Sequence, residues 1–228
     1  HNPFLGVRSI RLSLRNLDLF RVQLRAIARA SALGNVKVMF PLIATLEEIR
    51  QAKMVLADTL EDVRDDGIAC ADSIPVGMMV EVPSAVMMID KLVREVDFIS
   101  IGTNDLIQYA LAVDRSNKDI ASLYRASDPA VLRLIDVTLR AAREADVTAT
   151  LCGEMSSSPA YTLLLLGLGL RSMSVAPSAL PEIKQICRQV SLEQCETIAQ
   201  RAMEMDSARE IDAYLQEQLR KVAPELVF

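Results

Sequence analysis

The residues best placed to do chemistry follow an apolar run at positions 97–101. Gly102 is expected to let the backbone turn tightly after that run, and polar side chains come soon afterwards. These side chains are Asn104, Asp105, Gln108 and Arg115. They supply two amides, a carboxylate and a permanent cation. Together they are suited to a phosphorylated anion that is carried with a divalent metal.

A second carboxylate, Glu81, directly follows another apolar run at positions 76–80. In α/β barrels the chemistry lies at the carboxyl ends of the strands, so we expect Glu81 and Asp105 to lie at the same rim. Magnesium prefers one or two protein carboxylates, with water and substrate oxygens in its remaining positions. The pair could therefore hold Mg²⁺. Alternatively, Glu81 caps a helix and Asp105 is a solvated acid at a helix N-terminus.

Two arginines are candidates for binding the anion. Arg8 follows Gly6 in the segment GVRSIR, and Arg115 follows the polar segment described above. Guanidinium groups clamp phosphate and carboxylate through paired hydrogen bonds. Solvation at the surface is the alternative for both. The other arginines near the N-terminus have the spacing of a solvated helix face: Arg11, Arg15, Arg21 and Arg25.

Cys152 ends a third apolar run in the segment LCGEMSSS, and Gly153 after it allows close approach of the backbone. Buried cysteines usually act as small apolar side chains. A thiol that faces the rim could instead give a proton to a developing carbanion, because its reference pKa near 8.5 leaves it mostly protonated at neutral pH. Both interpretations stay open at this point.

The composition is typical of an α/β protein with an aliphatic core. It gives no net positive charge that would attract a polyanion. The chain has 228 residues, of which 51% are apolar, so it can bury a sizeable core as one domain. Its net charge of −5 argues against nucleic acid and acidic membranes as partners. The most apolar segment, 161–170, is roughly half the ~20 residues that a bilayer crossing requires, so we expect a buried helix.

The cysteines favour a reducing, cytoplasmic location. Cys70, Cys152, Cys187 and Cys195 are far apart, contain no C-x-x-C pair and follow no recognisable secretory leader. We therefore expect no disulfide framework. The only histidine is His1, so the interior of the chain offers no histidine for catalysis.

Five apolar runs alternate with helical patterns, and we predict strands at 36–40, 76–80, 97–101, 148–152 and 173–175. The runs are continuous rather than alternating, which is typical of a parallel sheet covered by helices on both faces. A closed barrel needs eight strands and about 250 residues. The chain is therefore either a complete open sheet or the last five βα units of a barrel.

Several helix boundaries are readable. We expect a capping box of Thr45 and Glu48 to start a helix that runs to about Arg64. Pro129 and Pro159 are typical of first helical turns. From 191 to 222 the pattern is helical, with a break expected around 206–207.

Five segments taken together resemble the C-terminal, phosphoenolpyruvate-binding domain of enzyme I, the phosphoenolpyruvate-protein phosphotransferase of the bacterial phosphotransferase system. They are NPFLGVRSIR, VKVMFPLI, VEVPSA, DFISIGTNDLIQYALAVDR and TLCGEM. The residues of these segments resemble the nitrogen-related branch slightly more than the sugar branch. The resemblance implies a (β/α)₈ TIM-type barrel of the phosphoenolpyruvate/pyruvate kind, a magnesium requirement and a homodimer. Residues 1–228 would be the C-terminal part of that barrel.

The resemblance also implies roles for individual residues. Glu81 and Asp105 would be the magnesium ligands. Arg8 and Arg115 would hold the phosphate, while Asn104 and the neighbouring Asp105 would contact the substrate. Cys152 would protonate the enolate carbon and release pyruvate.

In this family the phosphate passes to a histidine on a separate N-terminal domain and then to a histidine-containing phosphocarrier protein. That domain and the first barrel strands, with a further phosphate-binding arginine, are not in this sequence, so we predict a partial barrel that cannot complete the transfer alone. Five positions depart from the family pattern: Val7 replaces Trp, Ile107 replaces Thr, and serines at 156–158 replace a small-Gly-Asp run. Two alternatives remain, a pyruvate phosphate dikinase or phosphoenolpyruvate synthase, and a module that senses phosphoenolpyruvate without turnover.

Overall fold

A computed structural model describes residues 3–226 as an α/β structure. Its strands are Val38–Phe40 (β1), Val76–Val80 (β2), Phe98–Gly102 (β3) and Thr148–Cys152 (β4). Its α-helices are Ser9–Arg15 (α1), Leu17–Ser31 (α2), Leu46–Asp65 (α3), Pro83–Met87 (α4), Ile89–Leu92 (α5), Thr103–Leu111 (α6), Pro129–Glu144 (α7), Pro159–Gly167 (α8), Leu180–Gln189 (α9), Leu192–Met203 (α10) and Ala208–Val222 (α11). Short 3₁₀ turns lie at Pro3–Leu5, Val93–Glu95, Ala121–Leu123, Glu154–Ser157 and Pro224–Leu226. His1 lies outside the described residues.

The four strands form one parallel sheet in the order β1-β2-β3-β4. Neighbours in the chain are therefore neighbours in the sheet, and helices fill every connection, as in the βα units of a barrel. The parallel sheet under helices that the sequence predicts is confirmed. The carboxyl ends of β2, β3 and β4 meet at one rim, where the residues proposed for chemistry begin.

The fifth predicted strand, 173–175, is reduced to a single parallel bridge between Leu151 and Met173. Leu151 exchanges backbone hydrogen bonds with Ser172 and Ser174 at 3.2 and 2.8 Å. Beyond the bridge, the Ser174 carbonyl lies against the Ser156 hydroxyl instead of a strand partner. The direction of the fifth strand was predicted correctly, but its length was not.

The predicted helix starts are confirmed by cap geometry. Thr45 and Glu48 form a capping box at the start of α3, which ends at Asp65, and Asp128 caps α7. Helix α10 ends at Met203 and α11 begins at Ala208, so the predicted break is confirmed. Each of these caps depends on hydrogen bonds between residues close in sequence, which explains why the helix starts can be predicted from the sequence.

The core is aliphatic, as the composition indicates, and it includes the side chains of the central strands and of the leucine-rich helix α8. Leu163, Leu164 and Leu165 are fully buried, so α8 is an interior helix. Across residues 3–226, we find no helix with the length and apolar character needed to cross a bilayer. All four cysteines are free thiols.

Candidate active site

Glu81 follows β2 directly and is almost completely buried, with 7% of its surface exposed. Its Oε1 atom accepts a hydrogen bond from the Leu42 backbone N–H at 2.7 Å, which connects the ends of β1 and β2. Gly102 at the end of β3 lies against the same carboxylate. A Cβ atom on Gly102 would come within 2.8 Å of Glu81 Oε2.

This position corrects the expected role of Gly102. Its φ of −87° is open to any residue, so the turn itself does not need a glycine. What requires a glycine is the lack of space beside Glu81. Helix α6 begins at the next residue, Thr103, so the chain passes from strand to helix without a loop.

Burial raises the pKa of Glu81 from 4.5 to about 7. The Leu42 N–H opposes the shift, the negative charge of Asp105 adds to it, and Arg8 lowers it. The two carboxylates therefore repel each other across the ends of neighbouring strands. A divalent cation between them would favour the ionised form of both, so this donor set fits a hard cation such as Mg²⁺. Among the described residues no group of three or more acidic, thiol or imidazole side chains is arranged for a metal, so water and substrate would complete the coordination.

Asp105, in the first turn of α6, is the point at which both candidate arginines meet. Its carboxylate lies 3.0 Å from Arg8 Nη2 and 3.8 Å from Arg115 Nη2, and only 8% of its side chain is exposed. The solvated-acid alternative for Asp105 is therefore wrong. The structure thus brings together three residues that are far apart in sequence.

Tyr109 also contacts Arg8, and the sequence analysis did not single it out. Arg8 Nη1 donates to the Tyr109 hydroxyl at 3.2 Å, and the Arg8 guanidinium lies 5.4 Å from the centroid of the Phe4 ring. Tyr109 follows Asp105 by one helical turn, so both side chains lie on the same face of α6. The four-residue spacing from Asp105 is the sequence feature that could have indicated Tyr109 as a site residue.

Gln108 positions the segment that carries Arg115. Its Oε1 atom accepts the Arg115 backbone N–H at 3.2 Å, after Ala112 has ended α6 in the left-handed conformation. Gln108 is buried, and its Nε2 is the buried side-chain nitrogen that lacks a partner within residues 3–226. A water or a ligand oxygen would satisfy this donor.

Asn104 links α6 to the turn after β4. Its Oδ1 atom accepts the Glu154 backbone N–H at 3.0 Å, and its backbone carbonyl accepts the Tyr124 hydroxyl at 3.1 Å. Gly153 makes this contact possible, because it has a φ of +105° and a Cβ there would lie 2.3 Å from Thr103 Oγ1. Asn104 is therefore fixed in orientation at the rim.

Cys152 ends β4 beside Gly102 of β3 and is only partly buried. Its thiol lies 3.7 Å from Ser100 Oγ, which donates to it, and 3.6 Å from the Ile101 carbonyl, to which it donates. The surroundings of the sulfur are thus partly polar. This environment favours the chemical interpretation of the thiol over the purely apolar one.

Comparisons with known proteins agree with this geometry. A family model described as PEP-utilising enzyme, PEP-binding domain, matches residues 1–192. Proteins named phosphoenolpyruvate-protein phosphotransferase from Bacillus sp. (strain S) and Bacillus subtilis (strain 168) are each 45% identical over 94% and 95% of this chain. One from Haemophilus influenzae is 43% identical over 95% of it. The chain spans only 37–38% of the length of these relatives.

A solved structure of a citrate lyase from Burkholderia xenovorans LB400 has a similar fold, with a TM-score of 0.56 and 16% sequence identity. The alignment covers 88% of this chain and 68% of the lyase chain. At this identity the similarity concerns the fold alone, and it supports the α/β barrel class expected from the sequence. Because the family model covers most of the sequence, this chain belongs to the family described as PEP-utilising enzyme, PEP-binding domain.

Proposed function

We propose that this chain is the phosphoenolpyruvate-binding part of a phosphoenolpyruvate-protein phosphotransferase, enzyme I. The proposed reaction moves the phosphoryl group of phosphoenolpyruvate to a histidine on another domain and releases pyruvate. The observation that carries this proposal is the convergence of Arg8 and Arg115 on Asp105, next to Glu81, at one rim. The names of the curated relatives favour this reaction over that of a dikinase or synthase.

In this proposal Glu81 and Asp105 hold Mg²⁺, which would neutralise charge on the substrate oxygens during transfer. Arg8 and Arg115 bind the phosphoryl oxygens through their guanidinium N–H groups, whose planar geometry suits paired hydrogen bonds to phosphate. Asn104, next to Asp105 in the first turn of α6, contacts the substrate. The low exposure of Asp105 and Glu81 excludes most water, so each of these charges acts more strongly than at an open surface.

Cys152 would complete the reaction. After the phosphoryl group leaves, the enolate carbon must take up a proton to become the methyl group of pyruvate. The Cys152 thiol can donate that proton, and the resulting thiolate regains one from solvent. The hydroxyl of Ser100, which donates to the sulfur, would stabilise the thiolate.

The remaining parts of the enzyme belong to the same proposal. Strand β1 is at the edge of the described sheet, and a cavity of about 330 Å³ lies beside it, lined by apolar and polar residues of α1, α2 and β1. Further barrel strands would cover this edge. The phosphoaccepting histidine, the phosphocarrier protein that follows it and the homodimer are expected from the same family relationship, and the free thiols are consistent with the cytoplasm.

Isothermal titration calorimetry on the intact protein tests the site. Phosphoenolpyruvate should bind in the presence of Mg²⁺, and Glu81→Gln and Asp105→Asn should remove the magnesium-dependent part of that binding. Glu95→Gln is the matched control, because Glu95 lies in the 3₁₀ turn Val93–Glu95 before β3 and pairs with Arg50 rather than with the site. Unchanged magnesium dependence in both site variants would contradict the assignment.

Cys152→Ser separates a catalyst from a module that only senses phosphoenolpyruvate. In the intact protein this variant should bind phosphoenolpyruvate normally but release pyruvate about 10²- to 10⁴-fold more slowly, since a general acid contributes about that much. Cys187→Ser, at an exposed thiol, is the control. Normal pyruvate release by Cys152→Ser would remove the thiol from the mechanism.

A further inference from the structure

Tyr109 makes two hydrogen bonds through one hydroxyl, and both connect α6 with the N-terminal segment. The hydroxyl donates its proton to the Phe4 backbone carbonyl at 2.5 Å and accepts the Arg8 Nη1 proton at 3.2 Å. A phenol has a single proton, so once that proton is used on the carbonyl, only the lone pairs of the oxygen can face the guanidinium. In the hydrogen bond with Arg8, the guanidinium is therefore the donor and the Tyr109 oxygen is the acceptor.

The Arg8 guanidinium is held on several sides. Asp105 Oδ2 lies 3.0 Å from Nη2, the Tyr109 hydroxyl lies beside Nη1, and the Phe4 ring faces the guanidinium carbon at 5.4 Å. Only one of these partners is charged. Asp105 and Tyr109 come from successive turns of α6, so one helix supplies both hydrogen-bonding partners.

The charged partner is also a proposed metal ligand. When Asp105 shares its charge with a divalent cation, its attraction for Arg8 weakens, because the cation and the guanidinium carry charge of the same sign. The contacts with Tyr109 and Phe4 do not depend on the charge of that carboxylate. They can hold Arg8 when the ion pair cannot.

We infer that Tyr109 is a positioning residue for Arg8, which keeps the guanidinium directed at the phosphoryl group of the substrate once Asp105 is bound to metal. This inference rests on the proposed function, because it assigns Arg8 to the phosphate. Burial raises the pKa of Tyr109, so its phenol stays protonated and keeps donating to the Phe4 carbonyl at neutral pH. Tyr109 itself does not touch the reacting atoms.

The test compares two ligands in Tyr109→Phe, measured by calorimetry on the intact protein with Mg²⁺. Phosphoenolpyruvate carries a phosphoryl group, whereas oxalate binds the metal through two carboxylates and carries none. The affinity for phosphoenolpyruvate should fall about three- to tenfold, the size expected for the loss of one typical hydrogen bond, while the affinity for oxalate stays within about twofold. Tyr214→Phe is the control, because Tyr214 lies on α11 among Lys221, Arg201 and Glu217.

A double-mutant cycle with Arg8→Ala separates positioning from general support of the fold. If Tyr109 acts through Arg8, Tyr109→Phe should cause no further loss of phosphoenolpyruvate affinity in the Arg8→Ala background. Equal loss for both ligands, or an undiminished effect in the Arg8→Ala background, would overturn the inference.

A protein that binds neither ligand would disprove the proposed function, and the position of Arg8 can still be judged without a ligand. Nitrogen NMR of the protein with Mg²⁺ and no phosphoenolpyruvate should show resolved, slowly rotating guanidinium N–H signals for Arg8, which Tyr109→Phe should average together. Arg8 signals that are unchanged in Tyr109→Phe would overturn the positioning role by themselves.

Discussion

Gly153 shows at the scale of one residue how closely the rim is packed. It follows Cys152, has a φ of +105°, and leaves 2.3 Å between an ideal Cβ position and Thr103 Oγ1 and 2.8 Å to Asn104 Oδ1. Any larger residue would therefore have to displace the side chains of Thr103 and Asn104. Glycine is therefore favoured at position 153 for two independent reasons: the backbone conformation there and the lack of space for a side chain.

We predict that Gly153→Ala destabilises the protein by about 2–5 kcal/mol, through left-handed backbone strain of about 1–2 kcal/mol and overpacking of about 1–3 kcal/mol. Urea unfolding measures this change. Gly67→Ala is the matched control, since Gly67 has a φ of +72° with nothing within 4 Å of its ideal Cβ. The control should show only the backbone part, and equal losses in the two variants would contradict the packing argument.

At the scale of elements, Glu95 connects α3 to the turn that leads into β3. Its carboxylate accepts hydrogen bonds from Arg50 Nε and Nη2 at 2.9 and 2.7 Å, and Lys53 Nζ lies 3.5 Å away. These cations, chiefly Arg50, hold the pKa of Glu95 below its usual 4.5. The contact fixes the helix relative to the strand that carries the rim.

We expect Glu95→Gln to lower the free energy of unfolding at pH 7 by less than about 1 kcal/mol, because the pair is near the surface. A carboxyl with a lowered folded pKa contributes stability above its unfolded pKa and loses it as the pH falls through the folded value. The difference between variant and wild type should therefore shrink as the pH falls below the unfolded value of about 4.3 and disappear below the folded pKa. Thermal unfolding as a function of pH measures it.

Arg50→Gln provides the control for this pair. In the Glu95→Gln background it should cost no further stability, since its partner is already gone. A difference between Glu95→Gln and wild type that persists at the lowest pH would show that the effect comes from packing rather than from charge.

At the scale of the whole molecule, the sheet has an open edge at β1. In a closed barrel every strand has two neighbours, whereas β1 has only β2 among the described residues. Met39 in the middle of β1 is 36% exposed. An uncovered strand edge pairs readily with another chain.

We predict that the 228-residue chain in isolation associates through this edge. Met39→Lys should shift it toward the monomer, because a charge on an edge strand opposes strand pairing. Sedimentation velocity measures the distribution, with Met54→Lys as the control, since Met54 is 58% exposed on the helix α3. An equal effect of the two substitutions would exclude β1 as the contact.

Much of this molecule could be read from local patterns. The continuous apolar runs predicted the parallel sheet, and Thr45 with Glu48 predicted the start of α3, because burial and capping depend on residues close in sequence. The same holds for Glu81 and Asp105, whose positions after predicted strands placed them at one rim. The final strand was the exception, because it pairs with β4 only through the bridge between Leu151 and Met173, and the extent of such pairing depends on residues far apart in sequence.

Only the tertiary structure decided which side chains hold the candidate residues in place. Tyr109 meets Arg8 across 101 positions of sequence, and no local pattern indicates such a contact. The raised pKa of Glu81 likewise depends on burial and on Asp105, which are properties of the assembled rim. The sequence by itself determined which chemical groups are present and at which strand ends, because those follow from short-range periodicity. Their orientation and protonation depend on long-range packing, which exists only once the chain has folded.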